Sequence, residues 1–558
     1  MRKFPLVCSF LVLAASSQAQ YDIQKTVKAT HGVVVSAHPL ASNIGLDILK
    51  KGGNAVDAAI ATQLALAVVF PGAGNIGGGG FMVAHFSSGR SLALDYREEA
   101  PGKAGKDMYV DSTGKARTDW SQNGHLACGV PGTIAGMFAA HKYGRLPFKK
   151  LIQPAIDLAE NGFILSESEA RSLNGTREAF LKYNMGPIAF VRDQPWKAGD
   201  TLVQKDLAAT LRRIRDKGAK GFYEGVTARY IVAEMLKGGG LISLSDLSGY
   251  VAKERPVLSF PYHSYTILTM PLPSSGGLLL GQMLKMVENN PAMQEGYASA
   301  DATQVMIEAE RRAFADRATY MGDPDFVKVP VTTLLSDTYL TARMKDFVPG
   351  HAGSSQSVQA GVIPAESTET THFDVIDQEG NCVSVTTTLN GWYGSKTVAG
   401  KAGFLLNNEM DDFSIKPGVP NMFGAIGGTA NAIEPHKRML SSMTPTIVLR
   451  DGKPFLIAGT PGGTTIPTSV FQTVVDVIDF HLSAFDAVNY PKFHHQWLPD
   501  EVDLERGFPD STAAALAKMG YQLQHWGGIG RTEVIEVRPD GSFEGVADGR
   551  GDDAAAGY

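Results

Sequence analysis

The chain has 558 residues, of which 44% are hydrophobic and 19% are charged, and its formal net charge is −6 at pH 7. A chain of this length can bury a large hydrophobic core, and this composition is ordinary for a globular protein. The small acidic excess, without any lysine- or arginine-rich run, argues against nucleic acid as a partner.

The first 19 residues have the pattern of a signal peptide. Arg2 and Lys3 precede an apolar stretch, residues 4–15, and the small-residue sequence SQA follows it. The stretch is too short to span a bilayer comfortably, so a retained membrane anchor is the less favoured alternative. We therefore predict an exported protein, periplasmic or extracellular, with a mature chain that starts near Gln20 and has no membrane span.

The first two-thirds of the chain are predicted to be rich in helices. Residues 31–53 have the pattern of a strand and a helix that ends at a glycine pair. The alanine-rich run at residues 55–70 predicts a buried helix that begins after Asn54. The sequence LDYREEAP predicts a strand that ends at Arg97. Its guanidinium could bind a carboxylate with two hydrogen bonds or, more usually, form a surface salt bridge.

Strands come in pairs in the last third of the chain. Residues 348–369 are polar and rich in turn formers, which predicts an exposed, flexible loop. Three strand pairs follow, around residues 378–380 and around the Asp-Gly turns at Asp451 and Asp540. A helix is predicted over residues 464–480. Paired strands with flanking helices favour a layered sheet protein with its helices outside.

Threonines are concentrated at one loop-to-strand junction. Thr370 and Thr371 stand at the head of a strand, and Thr388 and Asn390 close its partner. Such hydroxyls can be strand formers on a solvated face or the parts of a nucleophile and its supports. A chain cut before a threonine would gain an α-amine with a pKa of about 7.7–8, which can take the hydroxyl proton. The residues alone do not choose between the two threonines.

Three other clusters could contribute to a site. The acidic turn at residues 409–412 could bind an ammonium group or be merely solvated, and Ser441 and Ser442 could bind a ligand or form a turn. Gly462 and Gly463 precede a predicted helix, where free N–H groups bind an oxyanion well, although ordinary turn chemistry is the alternative.

The sequence does not favour a metal site or a disulfide framework. His494 and His495 would face opposite sides of a strand and lack nearby cysteine or carboxylate partners, so we predict no metal and no cofactor. After export only Cys128 and Cys382 would remain, and they lie far apart in the sequence.

Ten short motifs, in one order along the chain, make the sequence resemble the γ-glutamyltransferase family. The family is also called glutathione hydrolase and is a branch of the N-terminal nucleophile hydrolases. The motifs cover essentially the whole mature chain: NIGGGGFMV (75–83), LDYRE (94–98), PGT (131–133), PLPSSGG (271–277), ETTHF (369–373), LNNEMDDFS (406–414), PHKRMLSSMTPTIV (435–448), TPGG (460–463), FHHQWLPDE (493–501) and the terminal DDAAAGY.

The resemblance implies an α+β fold, a four-layer αββα sandwich that is made as an inactive precursor. It implies self-cleavage between Glu369 and Thr370, after a signal peptide at residues 1–19 is removed. The products would be a large subunit, residues 20–369, and a small catalytic subunit, residues 370–558, which stay together as a heterodimer.

The resemblance also assigns roles to residues. Thr370 matches the nucleophile, Thr388 matches its hydrogen-bond partner, and the amides of Gly462 and Gly463 match the oxyanion site. Two further groups match the residues that hold the glutamyl part of the substrate: Arg97, Ser441 and Ser442 on its carboxylate, and Asn390, Glu409 and Asp412 on its ammonium group, with Gly463 also in contact. His372 is expected to be structural.

The implied reaction cleaves the γ-glutamyl amide of glutathione or a related compound and passes the group to water, an amino acid or a dipeptide. Two alternatives stay open: a cephalosporin (glutaryl) acylase of the same fold, and a non-catalytic exported binding protein. The segment from Lys416 to Gly428 resembles the lid of the glutamyl pocket, but it has Phe423 where bacterial relatives often have tyrosine.

Overall fold

The structure, a computed structural model, describes residues 21, 23–358, 370–416, 419, 421–422 and 428–558. The predicted signal peptide, Glu369 and Phe423 lie outside the described residues. In chain order the strands are β1 Thr26–Ala29, β2 Gly32–Ser36, β3 Gly79–His85, β4 Ser91–Asp95, β5 Phe163–Ile164, β6 Thr201–Leu202, β7 Lys253–Arg255, β8 Leu258–Tyr262, β9 Tyr265–Thr269, β10 Thr371–Asp377, β11 Cys382–Thr388, β12 Thr446–Arg450, β13 Lys453–Gly459, β14 Phe493–His494, β15 Val502–Glu505, β16 Leu523–Trp526, β17 Glu533–Val537, β18 Phe543–Val546 and β19 Ala554–Gly557.

The helices flank these strands. In chain order they are α1 Pro39–Lys50, α2 Ala55–Val69, α3 Thr118–Gln122, α4 Thr133–His141, α5 Phe148–Asn161, α6 Glu167–Tyr183, α7 Lys205–Lys217, α8 Lys220–Tyr223, α9 Gly225–Gly238, α10 Leu244–Gly249, α11 Gly276–Val287, α12 Ala300–Tyr320, α13 Val331–Leu334, α14 Asp337–Arg343, α15 Thr465–Ile478, α16 Ala484–Asn489 and α17 Asp510–Met519. Across the described ranges, none of them is long and apolar enough to cross a membrane.

Two seven-stranded sheets form the centre of the fold. One has the order β1-β18-β17-β13-β12-β9-β8 and the other β19-β2-β10-β11-β3-β4-β7. The three predicted strand pairs are confirmed as the antiparallel pairs β10–β11, β12–β13 and β17–β18. The predicted helix at residues 464–480 is confirmed as α15, two residues shorter at its C-terminal end and one at its N-terminal end.

The core has three layers of side chains, which confirms the αββα sandwich. Residues such as Val33, Phe81 and Ile457 pack between the two sheets. A second cluster packs α1, α2 and α5 on the outer face of the sheet that contains β10. A third packs α11, α12 and α15 on the outer face of the other sheet. Each sheet is thus covered on both faces, and central strands such as β2, β3, β10 and β11 are buried at every position.

The threonines of β11 do not lie on a solvated face. Thr386, Thr387 and Thr388 are all buried. The Thr387 hydroxyl donates to the Gly79 carbonyl on the neighbouring strand (2.8 Å) and accepts from the Asn75 amide (3.0 Å). Their hydroxyls are therefore part of a buried polar network, in which each needs a partner because water cannot supply one.

The prediction of an exposed loop before Thr370 is wrong for part of its length. Of residues 348–369, the structure describes 348–358, and there Ser355 and Val358 are buried. The indole of Trp497 donates to both of their carbonyls, at 3.1 and 3.0 Å. A tryptophan distant in sequence thus covers a segment whose composition alone is typical of an exposed loop.

Candidate active site

Thr370 directly precedes β10, at the start of the hairpin that β10 forms with β11. It lies between two cavities. One cavity is lined by residues that include Thr370, Thr388 and Asn390. The other is lined by Thr370 together with Gly462. Thr370 is therefore in contact with both cavities.

Thr370 and Thr371 differ in what they face. Thr371 begins β10 opposite Thr387, and its hydroxyl is buried without a hydrogen-bond partner among the described residues. It lines neither of the two cavities that Thr370 lines. Consecutive residues of an extended chain face opposite sides, so only one of the two hydroxyls can be presented to a substrate. The geometry favours Thr370.

Asn75 fixes the end of the partner strand. Its amide donates to the Thr388 carbonyl (2.8 Å), and its carbonyl accepts from the Gly78 amide (3.1 Å). The chain then turns through Asn390, whose φ is 72° and whose amide N–H donates to the Thr388 hydroxyl (2.7 Å). Asn75 is not among the predicted site residues, although its place in NIGGGG before a strand indicates a tight, buried turn.

A glycine pair forms the turn between β13 and α15. Gly462 has φ 141° and Gly463 has φ 55°, values that side chains rarely adopt. Within the described residues, neither glycine amide donates to a backbone or side-chain acceptor. The Gly462 carbonyl instead accepts from the Thr465 hydroxyl (2.8 Å), which orients the turn. Two unpaired N–H groups at a helix N-terminus are suited to an oxyanion.

Arg97 is not on the surface, as such an arginine would usually be. Its side chain is 1% exposed, and its guanidinium is paired with both Glu409 and Asp412. It also donates to the carbonyls of Met439 and Leu440, each at 3.3 Å. The resemblance implies that the arginine and the two carboxylates lie at opposite ends of a substrate, whereas the structure places them in direct contact.

The carboxylates around Arg97 are held in a buried cluster. Burial raises the pKa of Glu409 and of Asp412, and Arg97 opposes this shift. Glu98, 3.7 Å from Arg97, is fully buried, and burial raises its pKa to about 7. Three acidic side chains thus surround one arginine. An additional positive group in the cavity would favour the ionised forms of these acids, because a nearby cation lowers the pKa of a carboxyl group.

Ser441 and Ser442 line the same cavity as Arg97. Arg317 and Asn421 also line it, although neither is among the predicted site residues. The Ser442 hydroxyl accepts from Arg317 (3.2 Å), and the Asn421 amide donates to Asp412 (3.0 Å). Arg317 comes from α12, which is buried along nearly its whole length, so its contact with the cavity could not be read from helical periodicity.

Two histidines and two cysteines that the sequence brought to attention are buried, and they line neither of the two cavities beside Thr370. His372 is buried between the Thr386 hydroxyl (2.9 Å) and Asp374 (3.0 Å), within its own sheet. Burial lowers the pKa of His494 to about 4. Cys128 and Cys382 are both buried and free. No group of three or more potential metal ligands occurs in the part of the chain that the structure describes.

Comparison with known proteins relates this site to one family. The family model described as Gamma-glutamyltranspeptidase matches residues 41–558. The chain is 47% identical to the glutathione hydrolase proenzyme of Escherichia coli (strain K12), over 96% of this chain and 93% of that one.

Solved structures agree with this result. The γ-glutamyltranspeptidase of Helicobacter pylori is 46% identical, with a TM-score of 0.57, over 58% of this chain and 94% of that one. A cephalosporin acylase from Bacillus halodurans has a TM-score of 0.84 over 98% of this chain and 99% of that one, but only 27% identity. The fold is thus shared with a cephalosporin acylase, while the sequence identity to the γ-glutamyltranspeptidase is higher. The chain belongs to the γ-glutamyltranspeptidase family.

Proposed function

We propose that this protein is a γ-glutamyltransferase and glutathione hydrolase with Thr370 as its nucleophile. The observation that carries the proposal is the position of Thr370 between two cavities, one lined by Arg97, Glu409 and Asp412 and the other by Gly462. One side suits a zwitterionic glutamyl group, and the other suits an oxyanion and a departing amine.

The reaction starts with attack by the Thr370 hydroxyl on the γ-carbonyl carbon. The α-amine of Thr370, freed by cleavage after Glu369, takes the hydroxyl proton, and the amides of Gly462 and Gly463 hold the oxyanion. The C–N bond then breaks, and the leaving amine receives the proton. A γ-glutamyl ester stays on Thr370 until water or the amine of an amino acid or dipeptide attacks it.

Recognition of the glutamyl group uses the charges of the cavity. Its ammonium group contacts Glu409, Asp412 and Asn390, and so offsets the negative charge of the buried acidic cluster. Its α-carboxylate binds Ser441 and Ser442 and the arginine side of the cavity. In this proposal the ion pairs of Arg97 with Glu409 and Asp412 weaken when the substrate enters, because the same three side chains then also bind the charged groups of the substrate.

The proposal includes export and processing. A signal peptide at residues 1–19 directs the chain to the periplasm or the extracellular space. Self-cleavage between Glu369 and Thr370 then produces the subunits 20–369 and 370–558. This step and the later catalysis use the same hydroxyl, so one substitution should abolish both.

The test is a pair of threonine variants. Thr370→Ala is expected to stay one uncut polypeptide without activity on γ-glutamyl-p-nitroanilide, because it lacks the hydroxyl that cuts the chain. Thr371→Ala, the matched control, is expected to be cut, with an N-terminal threonine on the small subunit. N-terminal sequencing and denaturing gel electrophoresis give the result. A cut and active Thr370→Ala protein would contradict the assignment.

The acylase alternative is separated by substrate. A glutaryl amide lacks the α-amine, so it leaves the acidic cluster without its cation. We expect kcat/KM for γ-glutamyl-p-nitroanilide to exceed that for glutaryl-p-nitroanilide by at least about 100-fold, the effect of leaving a buried charge unpaired. A preference for the glutaryl compound would favour the acylase.

A further inference from the structure

A larger cavity lies beside the one that Thr370 and Gly462 line. Its volume is about 330 Å³, against about 190 Å³ for its neighbour. This is within the range of about 300–1,000 Å³ for small-molecule sites. Its walls are mostly apolar and aromatic, and they include Val69, Phe70, Phe163, Leu165, Leu173 and Leu202. The charged side chains of Glu169, Arg550 and Asp552 also line it.

The two cavities meet at Trp392 and Arg531, which line both. The acyl part of a bound amide and its amine part point away from the carbonyl carbon in different directions. Since the cavity with Arg97 takes the glutamyl part, the amine part leaves Thr370 on the side of Gly462. The larger cavity therefore adjoins the cavity into which the amine part of the substrate extends from Thr370.

Trp392 is held firmly at this junction. Its indole donates to the Ser172 hydroxyl (2.7 Å), and its ring packs edge-on against Phe70, with 5.3 Å between centroids. Gly72 leaves space for the ring, because a Cβ there would lie 2.5 Å from it. A half-buried aromatic side chain fixed in this way is a suitable wall for an apolar ligand group.

Arg531 supplies a fixed positive charge at the same place. Its Nε donates to Asp553 (2.6 Å), and its guanidinium lies 5.1 Å from the centre of the Phe70 ring. One of its terminal nitrogens, Nη1, has no acceptor among the described residues, and the side chain is 21% exposed. Arginine held by one carboxylate still has donors for a second, so it can bind the carboxylate of a ligand.

We propose that the cavity bounded by Phe70, Leu173, Trp392 and Arg531 binds the amine half of the substrate, as an amino acid or peptide with a large apolar side chain and a free carboxylate. This rests on the proposed function. The same place serves the leaving amine and the incoming acceptor, because attack of an amine on the ester reverses the step that formed it.

The test compares γ-glutamyl compounds that differ only in the amine half. With the purified, active enzyme, kcat/KM is measured for γ-Glu-Gly, γ-Glu-Leu, γ-Glu-Phe and the C-terminal amide of γ-Glu-Phe. We expect γ-Glu-Leu and γ-Glu-Phe to exceed γ-Glu-Gly by at least about tenfold, as an apolar pocket typically provides. The free acid of γ-Glu-Phe should exceed its amide.

Two variants connect these preferences to the cavity. Trp392→Ala should lower the ratio of γ-Glu-Phe to γ-Glu-Gly by about tenfold, because one wall is lost. Trp196→Ala is the matched control: its indole donates to the Phe190 carbonyl (2.8 Å), away from both cavities. Arg531→Gln should bring the free acid and the amide to similar kcat/KM. Arg538→Gln, at an arginine that follows β17 and is paired with Glu536, should not.

Each ratio is taken within one variant, so a loss common to all substrates cancels. Absence of hydrolysis of every γ-glutamyl compound by the wild-type protein would overturn the proposed function itself. Hydrolysis with equal kcat/KM for γ-Glu-Gly and γ-Glu-Phe, or a ratio that Trp392→Ala and Arg531→Gln leave unchanged, would overturn this inference alone.

Discussion

Arg97 combines two tasks in a single buried side chain. It offsets the charges of Glu409 and Asp412, and it donates to two backbone carbonyls. Only a guanidinium has enough donors in one plane for all of these acceptors. A lysine at this position would therefore leave some of these acceptors without a donor.

Arg97→Lys is expected to raise the KM for γ-glutamyl-p-nitroanilide by about tenfold or more, because an ammonium group cannot form the paired hydrogen bonds. Steady-state kinetics measures it. Arg538→Lys, on a partly exposed arginine, is the control and should leave KM unchanged. An unchanged KM for Arg97→Lys would show that Arg97 takes no part in binding.

The raised pKa of Glu98 should make the unfolding free energy depend on pH. Burial raises its pKa from 4.5 to about 7, so between these values the folded protein binds more protons than the unfolded chain. The unfolding free energy should therefore fall as the pH rises through this window, as the buried carboxyl is forced to ionise beside Glu409.

The measurement is the Tm of wild type and Glu98→Gln from pH 5 to pH 8. Glutamine cannot ionise, so the variant should lose less stability than wild type as the pH rises. Other buried acids, such as Asp476 and Asp503, are present in both proteins and cancel in the difference. Parallel curves would contradict the prediction.

At the scale of elements, the turn between β13 and α15 is the proposed binding site of the oxyanion. Gly462→Ala would place a Cβ against the Thr465 hydroxyl at a φ of 141°. We expect the amides to turn away from Thr370, with kcat lowered by about 100-fold or more and KM little changed.

The control for this variant is Gly452→Ala in the hairpin between β12 and β13. Its φ is 73°, and no atom lies within 4 Å of the added Cβ. Alanine at this position therefore strains the backbone to a similar degree, because its φ is also positive, but it makes no contact near Thr370. If Gly452→Ala lost as much kcat as Gly462→Ala, the loss would come from general destabilisation, and the role of the turn would be refuted.

At the scale of the whole molecule, the two sheets join the parts of the chain before and after Thr370. β2 pairs with β10 and β19, β3 pairs with β11, and β9 pairs with β12. The outer strand β1 pairs with β18. Separating the two parts would expose the layer of side chains between the sheets and break these ladders, so it amounts to unfolding.

We therefore expect the cleaved subunits to elute together in size-exclusion chromatography without denaturant and to separate in denaturing electrophoresis. Thr370→Ala, as an uncut control, should elute at the same volume and give one band. A small subunit that elutes alone from the native protein would contradict this prediction.

Much of the fold could be predicted from the sequence by itself. The strand pairs around Asp451 and Asp540 and the helix that follows the glycine pair are local features, because turn residues and short-range periodicity determine them. The motifs further related the chain to its family. Local patterns of this kind need no knowledge of distant contacts, which is why they could be recognised.

Only the tertiary structure decided how distant residues meet. It paired Arg97 with Glu409 and Asp412, brought Arg317 to the cavity, presented Thr370 rather than Thr371, and buried Ser355 under Trp497. These contacts join residues far apart in the chain, and they depend on the packing of two sheets. No local pattern encodes the packing, so the charges and the space around Thr370 became visible only in three dimensions.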